Sequence, residues 1–244
     1  MIMSFIAVIL LAILSGLISG VVGTGSSILL IPALTYVFGA KEAVPIMALA
    51  SVMGNLSRIY LWRHSIRFKP LFFYYLLLGI PAVILGANTL WVMSEKWLNI
   101  GMGLFFILMI PVLHLLRKYQ IQMKTYQVIM AGAVIGYLTG VVFSTGPLTI
   151  PIFSAYGLTL GPLLATEAAA SFVIYLTKAL TFSQLGAVNS FILISGVLVG
   201  CGLTVGNYLG KKLVLKLTPR LFQWLLDAML IFAGSSLFIN GIIN

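Results

Sequence analysis

Charged residues are scarce in this chain. Only 7% of its 244 residues are charged, 61% are hydrophobic, and the mean hydropathy is +1.15. A soluble globular domain carries roughly 25% charged residues. Long apolar runs with almost no charge are typical of membrane spans, because a charge buried in lipid is costly. The composition therefore excludes an ordinary soluble domain and predicts an all-α polytopic membrane protein.

Cysteine and histidine are equally rare. The single cysteine, Cys201, excludes a disulfide framework and a cysteine-based metal site within one chain. The two histidines, His64 and His114, are far apart and lack clustered carboxylates, so neither a metal nor a cofactor is expected. The sequence also lacks a P-loop and the G-x-S-x-G pattern of an activated serine. An enzyme is therefore not expected.

The charges that are present are mostly basic, giving a net charge of +10. Ten of the fourteen basic residues fall in three short stretches, 63–69, 117–124 and 211–220. Basic loops of this kind mark the cytoplasmic side of a membrane protein. No nucleic-acid recognition module accompanies them, so nucleic acid is not an expected partner.

Two apolar stretches contain glycine and hydroxyl residues in their middle, at 18–32 and 138–151. If each were one continuous span, eight crossings would divide the basic loops six to six, against the usual bias. If the chain turns back at each, ten basic residues lie on one side and only Lys41 and Lys96 on the other. The turned-back topology is therefore predicted, with both termini periplasmic. The N-terminus lacks the positive region of a secretory signal and is expected to be a first helix.

The same two stretches, ISGVVGTGSSILLIP and LTGVVFSTGPLTIP, match one another and indicate a repeat. The match continues along the chain, where Ser51 aligns with Ser171 and Arg58 with Lys178. An odd number of crossings in each half makes such a repeat inverted, which is typical of secondary transporters. We expect two inverted repeats of about five helical segments each, 1–122 and 123–244, within one membrane domain.

Glycines at four-residue spacing predict a second feature of the fold. They occur at Gly16 and Gly20, and again at Gly132, Gly136 and Gly140. Small residues at this spacing allow helix backbones in a membrane to approach closely. Close helix packing is therefore expected at both sites.

Irregular backbone at membrane depth is tolerated only where protein or a watery cavity satisfies its polar groups. Half-helices that start near Ser26 and Leu148 would direct free N–H groups and a partial positive charge into such a cavity. Hydroxyls add donors there, and the glycines allow close approach of a ligand. The expected ligand is a small anion bound by Thr24, Gly25, Ser26, Ser27, Ser144, Thr145 and Gly146.

Two predicted helices present a polar face that should point inward. On 43–62 this face carries Ser51, Asn55 and Arg58, and on 163–182 it carries Glu167, Ser171, Tyr175 and Lys178. We expect Ser51, Asn55, Arg58, Ser171 and Lys178 to line the site, with Arg58 or Lys178 balancing the charge of the anion. The alternative interpretation is that both basic side chains snorkel to their helix ends.

Only two acids lie well inside predicted spans, Glu167 and Asp227. Either could be a proton-coupling carboxylate, because a buried carboxyl group can bind and release a proton during transport. Either could instead be a structural partner for Arg58 or Lys178.

Taken with their sequence context, the glycine-rich segments GVVGTGSSILLIPAL and GVVFSTGPLTIPIF resemble those of the TauE/SafE sulfite exporter family, also called the 4-toluene sulfonate uptake permease family. The resemblance covers essentially the whole chain and includes the polar-to-basic residue that ends the following helix. It implies a bacterial inner-membrane carrier for sulfite, sulfoacetate or another sulfonate, with variable direction. The second copy departs from the first at Phe143 and Pro147, so the two half-sites should not bind identically.

The expected mechanism is alternating access, with substrate bound between the two breaks. An anion-selective channel is an alternative, because the same helix termini and basic residues could line a pore. A membrane subunit of a larger complex is a second alternative. Besides substrate and lipid, a coupling proton or sodium ion and a homodimeric assembly stay open as partners.

Overall fold

The structure, a computed structural model, describes residues 2–22, 26–66, 70–119, 122–142, 145–158, 160–214 and 219–243. Within these ranges the chain forms no strand and is almost entirely helical, which confirms the predicted fold class. A short 3-10 helix, η1 (Arg63–Ser65), accompanies ten α-helices: α1 (Ile2–Val22), α2 (Ser26–Phe38), α3 (Ala40–Trp62), α4 (Pro70–Val92), α5 (Glu95–Tyr119), α6 (Thr125–Val141), α7 (Gly146–Ala155), α8 (Leu160–Gln184), α9 (Ser190–Val214) and α10 (Pro219–Ile243).

Six of the described helices are long and apolar enough to cross a membrane: α3, α4, α5, α8, α9 and α10. About 20 helical residues are needed to span the hydrocarbon core. The other four helices, α1, α2, α6 and α7, flank the two glycine-rich stretches, so each stretch separates two helices. These features are those of a multi-pass membrane protein.

The helices that follow the glycine-rich stretches are short. The 13 residues of α2 rise about 20 Å and the 10 residues of α7 about 15 Å, less than the hydrocarbon core. α7 begins at Gly146, two residues before the predicted start. Pro147 explains the difference, because proline is favoured in a first turn, where its missing N–H costs no hydrogen bond.

Corresponding helices of the first five and the last five make corresponding contacts: α1 corresponds to α6, α3 to α8, α4 to α9 and α5 to α10. α1 packs against α9 as α6 packs against α4, and α3 packs against α9 as α8 packs against α4. α3 also packs against α8, and α5 against α10. Exchanging the two five-helix halves maps this set of contacts onto itself. The halves interlock, because α4 lies with α6 and α8 while α9 lies with α1 and α3.

Glycine allows this interlocking. A Cβ atom added at Gly20 would lie 2.7 Å from the carbonyl oxygen of Asn207, so the backbones of α1 and α9 are in contact. At Gly136 it would lie 2.5 Å from the carbonyl oxygen of Gly79, which shows the same for α6 and α4. Both glycine patterns therefore mark close helix packing, as predicted.

The apolar core consists of two clusters of buried residues. One cluster joins α4, α6, α7 and α8, including Leu71, Val128, Phe153 and Ile174. A larger cluster joins α1, α2, α3 and α9 to the α5–α10 pair and also includes residues near the C-terminal ends of α4 and α8. We refer to α1, α2, α3 and α9 as the first helix group and to α4, α6, α7 and α8 as the second. The contact between α3 and α8 connects the two groups.

Candidate anion-binding site

A buried ion pair connects α3 and α8. The Nη2 atom of Arg58 lies 2.5 Å from Oε2 of Glu167, and the two side chains are 6% and 1% exposed. Arg58 lies four residues before the end of α3, yet it points into the bundle rather than along the surface toward that end. Glu167 is therefore a direct partner of Arg58, as one of the two interpretations of this acid expected.

Each member of the pair has a second polar partner on its own helix. Nη1 of Arg58 donates to Oδ1 of Asn55 at 3.0 Å, and Oγ of Ser171 donates to Oε1 of Glu167 at 2.7 Å. Asn55 donates in turn to the carbonyl oxygen of Ser51 at 2.9 Å. These hydrogen bonds offset part of the desolvation cost of a buried pair. Five of the predicted residues thus form one connected network.

Two buried tyrosines link the surroundings of Glu167 to the short helices. Tyr175 lies beside Ser27 in the first turn of α2, and Tyr75 lies beside Thr149 in the first turn of α7. Both rings lie close enough to Glu167 to interact with its charge. The start of each short helix is the positive end of its helix dipole. In α7, Pro147 has no N–H, and the N–H groups of Leu148 and Thr149 donate to the carbonyl oxygen of Thr145 at 2.9 and 3.1 Å. One tyrosine therefore lies between Glu167 and the N-terminus of each short helix.

Lys178 lies at the second glycine-rich stretch. Its Nζ atom donates to the carbonyl oxygens of Thr139 at 2.6 Å and Val142 at 3.1 Å, at the C-terminal end of α6. The residue is 1% exposed, so it does not extend to a helix end at the membrane surface. A cation at a helix C-terminus satisfies free carbonyl groups and interacts favourably with the dipole.

The remaining predicted residues of the two stretches lie at the helix starts. Ser26 is the first residue of α2, and Gly146 is the first residue of α7. Thr145, directly before α7, is buried, and its hydroxyl hydrogen-bonds with that of Thr139. Thr24, Gly25 and Ser144 lie outside the described residues.

The second predicted acid, Asp227, lies elsewhere. It is on α10, where Oδ2 lies 3.4 Å from Nε2 of His114 on α5. Its side chain is 21% exposed, and that of His114 is 56% exposed. Asp227 therefore belongs to the α5–α10 pair and not to the network of Arg58 and Glu167.

Sequence reasoning left out Asn207, a buried amide on α9. Its Nδ2 atom donates to the carbonyl oxygen of Gly54 at 3.0 Å and to Oγ of Ser57 at 2.8 Å, one turn from Arg58. Its Oδ1 atom is buried without a hydrogen-bond partner. An asparagine inside an apolar span could have indicated a buried polar contact at this position. Tyr75 and Thr139 were also left out, because a single tyrosine or threonine in a span is commonly a packing residue.

The buried ionisable side chains are mostly basic. Among the described residues they are Arg58, Lys178 and Glu167, so two basic groups accompany one acid in the interior. The described part of the chain has no cluster of three His, Cys, Asp or Glu that could hold a metal ion. The arrangement is therefore suited to bind an anion through cations, hydroxyls and helix N-termini.

Comparison with protein-family models gives a match to the family described as Sulfite exporter TauE/SafE, over residues 8–237. The matched range includes every predicted site residue. No curated protein and no solved structure gives a significant match.

Proposed function

Because the chain belongs to the TauE/SafE sulfite exporter family, a family of membrane transporters for sulfite-like anions, we propose that it is a secondary carrier for a sulfur-containing anion. Sulfite, sulfoacetate or another sulfonate is the proposed substrate. The proposed location is the bacterial inner membrane, with both termini periplasmic. The charge distribution supports this orientation, since ten basic residues then lie on the cytoplasmic side and two on the other.

The observation that carries the proposal is the excess of buried basic side chains beside two helix N-termini. Buried cations attract an anion strongly in a medium of low dielectric constant, so an anion that contacts them gains binding free energy. Arg58 or Lys178 balances the charge of the substrate, while backbone N–H groups and hydroxyls at the starts of α2 and α7 donate to its oxygens. The predicted residues Thr24, Gly25 and Ser144 contribute from the same two stretches.

Alternating access in this carrier is proposed to change the contact between α3 and α8. The reciprocal helix packing supports two inverted repeats, and the interlocked halves support moving bodies that each contain helices from both repeats. The first and second helix groups are those bodies. Arg58 and Glu167 lie on opposite sides of the boundary between them, so a change at this boundary acts directly on the ion pair.

Uptake into proteoliposomes tests the function. Purified protein is supplied with labelled sulfite, sulfoacetate, methanesulfonate, sulfate or chloride, and uptake is compared with that of empty liposomes. We expect saturable uptake of at least one sulfur anion and faster uptake when the same anion is present on the opposite side. The double variant Arg58→Gln/Lys178→Gln should reduce uptake at least 100-fold. Lys41→Gln/Lys96→Gln, which removes two exposed charges, is the matched control and should retain uptake.

Two other outcomes would assign a different function. A chloride current that does not saturate and shows no acceleration from the opposite side indicates an anion channel. No flux of any anion, together with a partner protein that co-purifies in fixed ratio, indicates a membrane subunit of a larger complex.

A further inference from the structure

Glu167 occupies the position on Arg58 that an anionic substrate would take. Its Oε2 atom lies 2.5 Å from Nη2 of Arg58, and its Oε1 atom accepts the hydroxyl hydrogen of Ser171. We propose that Glu167 and the transported anion compete for the guanidinium of Arg58, and that each anion crosses with one proton bound to Glu167. This inference rests on the proposed function and adds the coupling ion and the residue that binds it.

The two ligands share their chemistry. A carboxylate, a sulfonate and sulfite all present negatively charged oxygens to the forked donors of a guanidinium. Nη1 of Arg58 is held by Asn55 at 3.0 Å, which keeps the guanidinium on α3 when Glu167 leaves. Ser171 is one turn from Glu167 on α8, so its hydroxyl can serve either the carboxyl group or the incoming anion.

Charge balance sets the ratio of one proton to one anion. Breaking a buried ion pair is costly, because it leaves an unpaired charge in a medium of low dielectric constant. If a monovalent anion replaces Glu167 on Arg58, a proton taken up from the aqueous phase on the same side as the anion neutralises the carboxylate. The net charge of the interior then stays the same in the empty and loaded carrier. The loaded carrier therefore carries no additional charge as α3 and α8 move.

The surroundings of Glu167 favour this exchange. The groups that interact with its charge are Arg58 from α3, Tyr75 from α4 and Tyr175 on its own helix. α6 and α7, which also pack against α8, contain no acidic or basic residue. In the neighbouring 3-10 helix, Arg63 and His64 are exposed. When Glu167 takes up a proton, the interaction that it gives up is therefore its ion pair with Arg58.

Wild-type protein tests the inference directly. Proteoliposomes contain a trapped pH-sensitive dye and receive methanesulfonate, a strong acid that carries no proton of its own near neutral pH; sulfite is the second probe. Inward flux should acidify the lumen, one proton for each anion. An imposed pH gradient should accumulate methanesulfonate about tenfold per pH unit at most. A sodium gradient should have no effect.

Two matched variants assign the proton to its residue. Glu167→Gln should abolish proton-driven accumulation and make anion exchange independent of pH. Because its Arg58 lacks the carboxylate, this variant should also be stabilised by added anion more strongly than the wild type, as a rise in Tm. Asp227→Asn removes the other intramembrane acid, which is paired with His114, and should leave coupling unchanged.

The outcomes separate this inference from the proposed function. Anion flux without lumen acidification, or accumulation driven by sodium, overturns the inference and leaves the carrier in place. Proton coupling that persists in Glu167→Gln also overturns it. No flux of any probe in the wild type overturns the proposed function and this inference together. If Glu167→Gln does not fold, the dye measurement on the wild type decides.

Discussion

The ammonium group of Lys178 closes the C-terminal end of α6, donating to the carbonyl oxygen of Thr139 at 2.6 Å across 39 residues of sequence. Arg58, the aligned residue of the first half, does not make the equivalent contact and pairs with Glu167 instead. Two aligned cations therefore have different partners, one a set of backbone carbonyls and the other a carboxylate. The two halves of the site should respond differently to substitution.

Lys178→Met should weaken both the fold and anion binding. The carbonyl groups of Thr139 and Val142 lose a charged donor, at a cost of about 1.5–3 kcal/mol. Loss of the positive charge should also lower the apparent affinity for the anion at least tenfold. Thermal unfolding in detergent and concentration-dependent uptake measure the two effects. Lys41→Met, at an exposed lysine, is the control, and an equal loss in both variants would contradict a specific role for Lys178.

Arg58 and Glu167 should behave as a pair in a double-mutant cycle. Arg58→Gln or Glu167→Gln alone leaves one buried charge unpaired and should cost about 3–5 kcal/mol of stability. The double variant should recover most of that loss and still transport poorly, because it lacks the guanidinium. Unfolding curves of the four proteins without anion give the coupling energy. Additive losses in the double variant would show that the pair does not contribute as a unit.

Tyr175→Phe should reduce transport with little change in folding. The substitution removes only the hydroxyl that lies beside Ser27 at the start of α2, where the anion is proposed to bind. A polar contact of this hydroxyl with the anion is worth about 1 kcal/mol, so apparent affinity for the anion should fall roughly fivefold. Tyr208→Phe, on the exposed face of α9, is the matched control. Unchanged affinity in Tyr175→Phe would remove this hydroxyl from the site.

Gly206→Ala should destabilise the protein, although alanine is the better helix former. The new Cβ atom would lie 2.7 Å from Cα of Gly16, between the backbones of α9 and α1. Overpacking of this kind costs about 1–3 kcal/mol. Gly101→Ala is the control, since nothing lies within 4 Å of its Cβ position, and helix propensity predicts a gain of up to about 1 kcal/mol there. Thermal unfolding should therefore move in opposite directions.

The helices could be predicted closely from the sequence because apolar runs and glycine-rich breaks define them. The start of α3 was placed at 43, whereas the helix begins at Ala40. Lys41 and Glu42 are charged and directly precede the apolar run that starts at 43. Gly39, with a φ of 81°, provides the turn after α2 in a single residue, so the helix can begin directly after it. Proline near a helix start costs few hydrogen bonds.

The site could be predicted only in part. Helical spacing correctly grouped Ser51, Asn55 and Arg58, because a shared face is a local property. It could not decide which cation Glu167 would meet, since that contact joins residues 109 positions apart. The hydrogen-bond acceptors of Lys178 could not be predicted either, because they are backbone carbonyl groups, which every residue has.

The reciprocal contacts of α1 with α9 and of α6 with α4 have a consequence for biogenesis. α1 is translated before α9, yet the glycine face that it presents is covered by α9. Contacts between such distant segments form late and slowly. Before α9 is made, α1 would therefore expose this glycine face to lipid. A nascent chain halted after α8 would leave this face of α1 and the adjoining face of α3 without their partner helix. Quality-control proteases would be expected to degrade this incomplete chain as an unassembled protein, even though most of its helices are already inserted.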